Sequence, residues 1–85
     1  MGVAADKHGN VFVADTSNNA IKKVTPNGTI SVVGHGFHGP ESVAVDTSGN
    51  VYVADTLNNA VKKVAPDGQI TTIASGSEFT FPYRL

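Results

Sequence analysis

Residues 9–24, GNVFVADTSNNAIKKV, recur forty positions later as residues 49–64, GNVYVADTLNNAVKKV. The match extends outward from this stretch, because 19 of the 28 positions from Val3 to Ile30 are identical to those from Val43 to Ile70. Self-similarity at a fixed period of roughly twenty to fifty residues is typical of repeat architectures. The 85-residue chain is therefore predicted to contain two copies of one structural unit.

Each unit divides into four short β-like segments. The predicted strands are Gly2–Asp6, Asn10–Ala14, Ala20–Thr25 and Thr29–Val33, and in the second unit Ser42–Asp46, Asn50–Ala54, Ala60–Ala65 and Gln69–Ala74. Asp-x-x-Gly-Asn joins the first strand to the second, and Pro-Asn-Gly or Pro-Asp-Gly joins the third to the fourth, where glycine supplies the positive φ of a tight turn. No segment shows helical periodicity, so the fold class is all-β.

The second strand of each unit is apolar on both of its alternating faces. Val11 and Val13 point to one side, while Phe12 and Ala14 point to the other. A strand with this pattern has to be covered on both sides. The residues predicted to pack between units are Val11, Phe12, Val13, Val51, Tyr52 and Val53.

Four antiparallel strands with frequent turn signals, repeated at a period near forty residues, fit a propeller blade. The run G-N-V-[FY]-V-A-D-T-x-N-N-x-[IV]-K-K-V-x-P-[ND]-G resembles the NHL repeat over residues 2–34 and 42–74. The resemblance implies two four-stranded antiparallel blades per chain, assembling into a closed, six-bladed β-propeller. The family usually has a basic residue at the positions of Ala20 and Ala60, so any contact that this basic residue makes in relatives is not assumed for this chain.

The blade pattern divides the chain into four parts. Residues 1–35 form blade 1, residues 36–41 a linker, residues 42–75 blade 2 and residues 76–85 a C-terminal tail. The start at Met1 suggests a fragment of a longer array or an engineered sequence. Gly-Ser-Glu-Phe at 76–79 could be encoded by two in-frame restriction sites, so a vector-derived tail is one interpretation. The alternative is that Phe79, Phe81, Pro82 and Tyr83 pack on a neighbouring subunit.

Two blades are fewer than the six typical of the NHL propellers that the chain resembles. A blade pair leaves one apolar face uncovered on each outer side, and such faces favour assembly. The contact is heterologous, front against back, so copies add head to tail until the ring closes. The partner expected is therefore the chain itself, as a homotrimer with six blades or, alternatively, a homotetramer with eight.

Composition limits the other partners. The formal net charge is -1 and the sequence pI about 6.2, so the chain lacks the basic balance of a surface that neutralises phosphates. We therefore expect no nucleic-acid partner, and the absence of a long apolar run predicts no membrane span. The chain has no cysteine, which excludes thiolate chemistry without indicating a compartment.

Repeated polar side chains follow the second strand of each unit. These are Asp15, Asn18, Asn19, Asp55, Asn58 and Asn59. Such side chains could offer oxygens to a cation, but we expect them instead to cap the backbone of their own loops. Positions shared by both blades are in general more often required by the fold than by a reaction.

The linker is the part that does not repeat, and its His35, His38 and Glu41 are the remaining ligand candidates. In propeller topology this linker leads toward the central channel. Three copies of His38 around a threefold axis could bind zinc with an open fourth position. Solvated loop histidines are commoner, so no metal or cofactor is expected and His38 is only a weak candidate.

Three function classes follow from the resemblance. We favour a non-catalytic binding or scaffold ring whose loop face takes a protein or peptide, or an engineered fragment without an evolved ligand. The alternatives are a metal-dependent lyase- or lactonase-like propeller enzyme and an RNA-binding NHL domain. Near-identical blades disfavour an enzyme, which needs a ligand set that differs between blades. The missing basic and aromatic patch disfavours RNA binding.

Overall fold

The computed structural model describes residues 2–75, so the predicted tail at 76–85 lies outside the described residues. The strands are β1 (Val3–Ala5), β2 (Val11–Asp15), β3 (Ala20–Val24), β4 (Ile30–Val33), β5 (Pro40–Val45), β6 (Val51–Asp55), β7 (Ala60–Val64) and β8 (Ile70–Ser75). Strands β1–β4 form one antiparallel meander, blade 1, and β5–β8 form a second, blade 2. The all-β prediction of two four-stranded blades is confirmed.

Two details differ from the predicted boundaries. A three-residue 3-10 helix follows the second strand of each blade, Thr16–Asn18 and Thr56–Asn58, and three residues are too few to show a helical period. Strand β5 begins at Pro40, inside the predicted linker, because Pro40 pairs with Asp55 across an irregularity in register. Proline is tolerated at the first residue of a strand.

The turn between the first two strands of each blade is built around an aspartate, as the sequence predicted. The Asp6 carboxylate accepts hydrogen bonds from the backbone N–H groups of His8 and Asn10 at 2.9 and 3.0 Å. Asp46 makes the equivalent bonds to Ser48 and Asn50. The side-chain amides of Asn10 and Asn50 also donate to these carboxylates, each at 2.9 Å, and these side-chain bonds are the largest cause that holds the two aspartate pKa values below their usual range. The turns are therefore fixed by local side-chain acceptors.

The core lies between the two blades. Phe12, Ala14 and Ile21 line the face that blade 1 turns toward blade 2. Blade 2 meets them with its opposite face, whose buried residues are Val43, Val51, Val53 and Val64. Opposite faces of the two blades thus meet, which makes the contact heterologous.

The predicted packing residues divide between this interface and the outer faces. Phe12, Val51 and Val53 are buried between the blades. Val11, Val13 and Tyr52 point the other way and are half-buried.

In the described residues, no helix is long and apolar enough to cross a membrane.

Candidate functional site

A buried polar cluster lies where β6 ends. Asp55 is fully buried, and its Oδ1 accepts the backbone N–H of His38 at 2.6 Å. Its Oδ2 accepts from Asn58 Nδ2 at 2.7 Å and pairs with Lys62 Nζ at 2.8 Å. A buried carboxylate is stable only when paired and hydrogen-bonded, and this one has three donors. We call Asp55, Asn58 and Lys62 the blade 2 triad.

Strand register brings these three residues together. Asp55 pairs with Ala60 and Val53 pairs with Lys62, so Lys62 is the diagonal neighbour of Asp55 on one face of the sheet. The short 3-10 helix then returns Asn58 toward the strand end. The arrangement therefore follows from an aspartate at a strand end and a lysine two positions into the paired strand.

The blade 2 triad fastens the segment between β4 and β5, residues 34–39, called the linker below. Lys62 Nζ donates to the Gly36 carbonyl at 3.2 Å, and Asn58 Nδ2 approaches the same oxygen at 3.4 Å. Lys62 Nζ also lies 5.7 Å from the centre of the Phe37 ring, within cation–π range. Phe37 is buried in the core between the blades, so the linker closes the top of the interface.

Blade 1 holds the other end of the linker. Asn19 Oδ1 accepts the backbone N–H of Gly39 at 2.9 Å. Thr16 Oγ1 donates to the Pro40 carbonyl at 2.7 Å. The linker is therefore hydrogen-bonded to both blades and ties them together at the loop face, which we define as the linker with the two 3-10 helices.

Blade 1 contains the same three residue types at the equivalent positions, which we call the blade 1 triad. Asn18 Nδ2 donates to Asp15 Oδ2 at 2.8 Å, and Lys22 Nζ pairs with the same oxygen at 2.9 Å. The hydrogen bond from Asn18, followed by that from Lys22, lowers the pKa of Asp15. The Asp15 side chain is 23% exposed where that of Asp55 is fully buried. Within residues 2–75, no backbone N–H donates to Asp15 Oδ1.

The repeated loop residues thus have partners that the sequence did not indicate. Neither Asp15 nor Asp55 caps the 3-10 helix that follows it. Asn19 and Asn59 end those helices in the left-handed region, with φ of 52° and 49°. The repeat pattern by itself assigned no role to Lys22 and Lys62. The signal for the triads was the repeated spacing of aspartate, asparagine and lysine, which becomes readable once the strand register is known.

The three linker candidates do not converge within one chain. His35 and His38 are exposed, and Glu41 is half-buried on β5. His38 contributes its backbone N–H, not its imidazole, to the bond with Asp55. No group of three histidine, aspartate or glutamate side chains suited to a metal occurs among the described residues. A zinc site made by several copies of His38 remains a prediction.

Comparison with known proteins agrees with this geometry. Residues 37–64 match the NHL repeat family model, and no curated protein matches the chain. Selenomethionine-substituted virginiamycin B lyase from Staphylococcus aureus has 19% sequence identity and a TM-score of 0.77, over 91% of this chain and 27% of that one. A streptogramin B lyase structure has 16% sequence identity and a TM-score of 0.74, over 85% of this chain and 25% of that one. A catalytically inactive histidine-to-alanine variant of the S. aureus virginiamycin B lyase, with quinupristin, has 17% sequence identity and a TM-score of 0.74. That match covers 95% of this chain and 26% of the lyase chain.

Two meander sheets stacked face against face, joined by a linker at one end, define the chain as a pair of β-propeller blades. Within this pair, the segment from residue 37 to residue 64 matches the NHL repeat family model. The chain spans about a quarter of the length of the propellers that it matches. At 16–19% identity these similarities establish the fold alone.

Proposed function

We propose that the chain is one subunit of a homo-oligomeric propeller, with three copies favoured and four as the alternative. In this proposal the ring is a non-catalytic scaffold whose loop face binds a protein or peptide. The supporting observation is that, within residues 2–75, the two outer faces repeat the residues of the buried interface and leave several of their aliphatic side chains exposed.

Equivalent positions in the two blades differ sharply in exposure. Val43 is 6% exposed in the core, while Val3, forty positions earlier, is 63% exposed. Ile70 packs partly against the core, whereas its equivalent Ile30 is 65% exposed. On the other outer side Ile73 is 51% exposed. Clustered exposed aliphatic residues of this kind mark association surfaces.

The two outer faces carry the same kinds of residues as the two inner faces, so one outer face can pack on the other as the inner faces do. The inner contact joins the Phe12 face of blade 1 to the Val53 face of blade 2. The outer face of blade 2 presents Tyr52, the equivalent of Phe12, and the outer face of blade 1 presents Val13, the equivalent of Val53. A second copy can therefore add by repeating the internal contact, and a constant rotation closes the ring.

Solution mass tests this assembly directly. Light scattering coupled to size exclusion should give three times the 8.8 kDa chain mass, or four times for the alternative ring. A mass of one chain at all accessible concentrations would overturn the proposal. Because the contact is heterologous, a stable dimer would also contradict it.

The non-catalytic role is supported by the way the acidic groups of the loop face are used. The Asp15 and Asp55 carboxylates are paired with lysine and asparagine, so both have structural partners. What the loop face offers to solvent includes the imidazoles of His35 and His38. Selection of a peptide library on the ring tests the role. Specific binders should be lost with His35→Ala and His38→Ala together and kept with Asn27→Ala, at the opposite end of blade 1.

A lyase is the second candidate, because all three solved structures described above are named as virginiamycin B or streptogramin B lyases. The exposed His38 would be its first candidate residue. Incubating the oligomer with quinupristin and following the mass spectrum decides between the two. Conversion that is lost in His38→Ala would replace the scaffold proposal, while unchanged quinupristin at high protein concentration would support it.

A further inference from the structure

We propose that a groove between the two blades binds a small amphipathic carboxylate, of the class of medium-chain fatty acids. This groove, called the turn groove below, is lined by Phe12, Lys23, Ser31, Val51, Val64 and Pro66. It lies within one chain, so the inference goes beyond the proposed function and does not depend on assembly. Two observations carry it, a half-buried lysine without an ion-pair partner and the apolar wall beside that lysine.

The turn groove has the size and the apolar lining of a small-molecule site. It opens at the turn end of the blades, away from the loop face, between the inner face of blade 1 and blade 2. Its cavity volume is about 500 Å³, within the range of roughly 300–1,000 Å³ typical of ligand pockets. Phe12, Val51 and Val64 line it with buried apolar side chains. An aliphatic tail would therefore find apolar atoms from both blades.

Strand register carries Lys23 into this groove. Phe12 pairs with Lys23 across β2 and β3, and Lys23 pairs with Ser31 across β3 and β4. Directly opposite residues of an antiparallel sheet share one face, so all three side chains lie on the same side of blade 1. Because Phe12 is buried against blade 2, Lys23 faces blade 2 as well, and it is half-buried there.

Lys23 differs from its neighbour Lys22 in having no anionic partner. Lys22 Nζ pairs with Asp15 at 2.9 Å on the other face of the blade. Within residues 2–75, Lys23 Nζ makes neither an ion pair nor a hydrogen bond. Partial burial between apolar walls strengthens the attraction of an ammonium group for a carboxylate, relative to open water.

The other titratable groups at the turn groove are Asp6 and His8. The Asp6 carboxylate already accepts the backbone N–H groups of His8 and Asn10 and the Asn10 side-chain amide, so its hydrogen bonds belong to its own turn. His8 is exposed at the mouth of the groove. Lys23 is therefore the cation available to a ligand, and the Ser31 hydroxyl beside it can donate a second bond.

These groups select the class of ligand. One lysine beside an apolar wall suits a ligand with one negative charge and an apolar body. A phosphomonoester would bring close to two negative charges to the single lysine, without an aliphatic tail for the wall. A medium-chain carboxylic acid matches both the charge and the lining.

The experiment is a titration of the isotope-labelled chain with octanoate, followed by amide NMR. It gives the place of binding, and the dissociation constant is taken from the Ser31 and Val64 amides. Lys23→Gln should weaken octanoate binding about fivefold or more, because a charge-assisted contact becomes neutral. Lys7→Gln is the matched control, since it makes the same charge change at an exposed turn residue that does not line the groove, and it should leave binding unchanged.

A ligand series tests the same contacts without changing the protein. Octanamide keeps the tail and lacks the charge, so it should bind wild type about fivefold more weakly than octanoate does. It should also bind wild type and Lys23→Gln equally, because the two changes remove one interaction. Hexanoate should bind about tenfold more weakly than octanoate, since two methylene groups no longer contact the apolar wall. This series decides the question even if Lys23→Gln loses its circular dichroism signal.

Three results would overturn the proposal. The first is a titration without saturable shifts, and the second is an equal dissociation constant for octanoate and octanamide in wild type. The third is a set of shifts that are largest at Ile30 and Ile73, which are exposed on the outer faces, and unchanged by Lys23→Gln.

The solution mass of each sample separates this site from the proposed assembly. A monomer that binds octanoate in the turn groove would refute the assembly and keep the site. An oligomer of three or four copies that binds no octanoate would keep the assembly and refute the site.

Discussion

Paired substitutions at Val43 and Val3 measure whether the outer faces are covered in the assembled protein. Val43→Ala removes two methyl groups from a side chain that is 6% exposed. At about 0.8 kcal/mol per buried carbon, with a cavity term added, the cost is about 2–3 kcal/mol. Val3 is 63% exposed in a single chain, so Val3→Ala should cost less than about 0.5 kcal/mol unless a neighbouring copy covers it. In a closed ring the two costs should become similar.

Urea unfolding followed by circular dichroism gives both values. All variants are compared at one chain concentration, because assembly makes apparent stability concentration-dependent. Their masses are recorded under the same conditions. If Val3→Ala costs less than about 0.5 kcal/mol in a sample that stays fully oligomeric, the outer face of blade 1 does not pack as the inner face of blade 2 does. Our reasoning about head-to-tail assembly would then be wrong.

Three further predictions concern polar and backbone contacts. Asp55→Ala should destabilise the fold by about 3 kcal/mol in urea unfolding, because it leaves a half-buried lysine and the His38 backbone N–H without their acceptor. The Tyr52 phenol donates to Asp46 at 3.0 Å, which raises the Tyr52 pKa above 10.0. Its stabilisation is present below pH 10 and lost as the pH rises through the raised value, so Tyr52→Phe should remove that alkaline loss of stability. Gly39 has a φ of +60°, and an added Cβ would lie 2.9 Å from the Leu57 side chain. Gly39→Ala should therefore lower the melting temperature, and Leu57→Ser should restore part of the loss.

Controls for these predictions come from the chain's own repeat. Asp15→Ala removes a partly exposed pair and should cost less than about 1 kcal/mol of fold stability, so an effect equal to that of Asp55→Ala would contradict the burial argument. Alkaline absorbance titration gives the Tyr52 pKa once the signal of the Tyr52→Phe variant, which retains Tyr83, is subtracted, and an ordinary value would refute the bond to Asp46. Gly28→Ala tests positive φ without a clash, since nothing lies within 4 Å of its added Cβ.

The blade architecture could be predicted from the sequence because the same pattern of strands and turns occurs twice in the chain. Alternation in β2 and β6 assigned side chains to faces, and the Asp6 and Asp46 turns followed from local chemistry. Which face of each blade meets the other could not be deduced. Phe12 and Val13 are both apolar, and only packing decides that Phe12 points inward.

The candidate site was less predictable for a physical reason. A triad such as Asp55, Asn58 and Lys62 depends on strand register, and its burial depends on a linker that arrives from the other blade. Sequence alone gave the repeated residues but not their partners. It also drew attention to the histidines of the linker, whereas the backbone of that segment makes the contacts.

Near-identical repeats in unequal environments are informative because they separate sequence from context. Val3 and Val43 have the same side chain and the same strand position, so their different exposure reports only the presence of a neighbouring blade. Asp15 and Asp55 likewise share asparagine and lysine partners but differ in the linker, which covers only Asp55. The first pair concerns an apolar face and the second a polar cluster on the loop face. In the proposed head-to-tail assembly, the packing of one copy on the next would give Val3 the neighbour that Val43 already has, so the exposure of Val3 in the oligomer is the direct measure of that assembly.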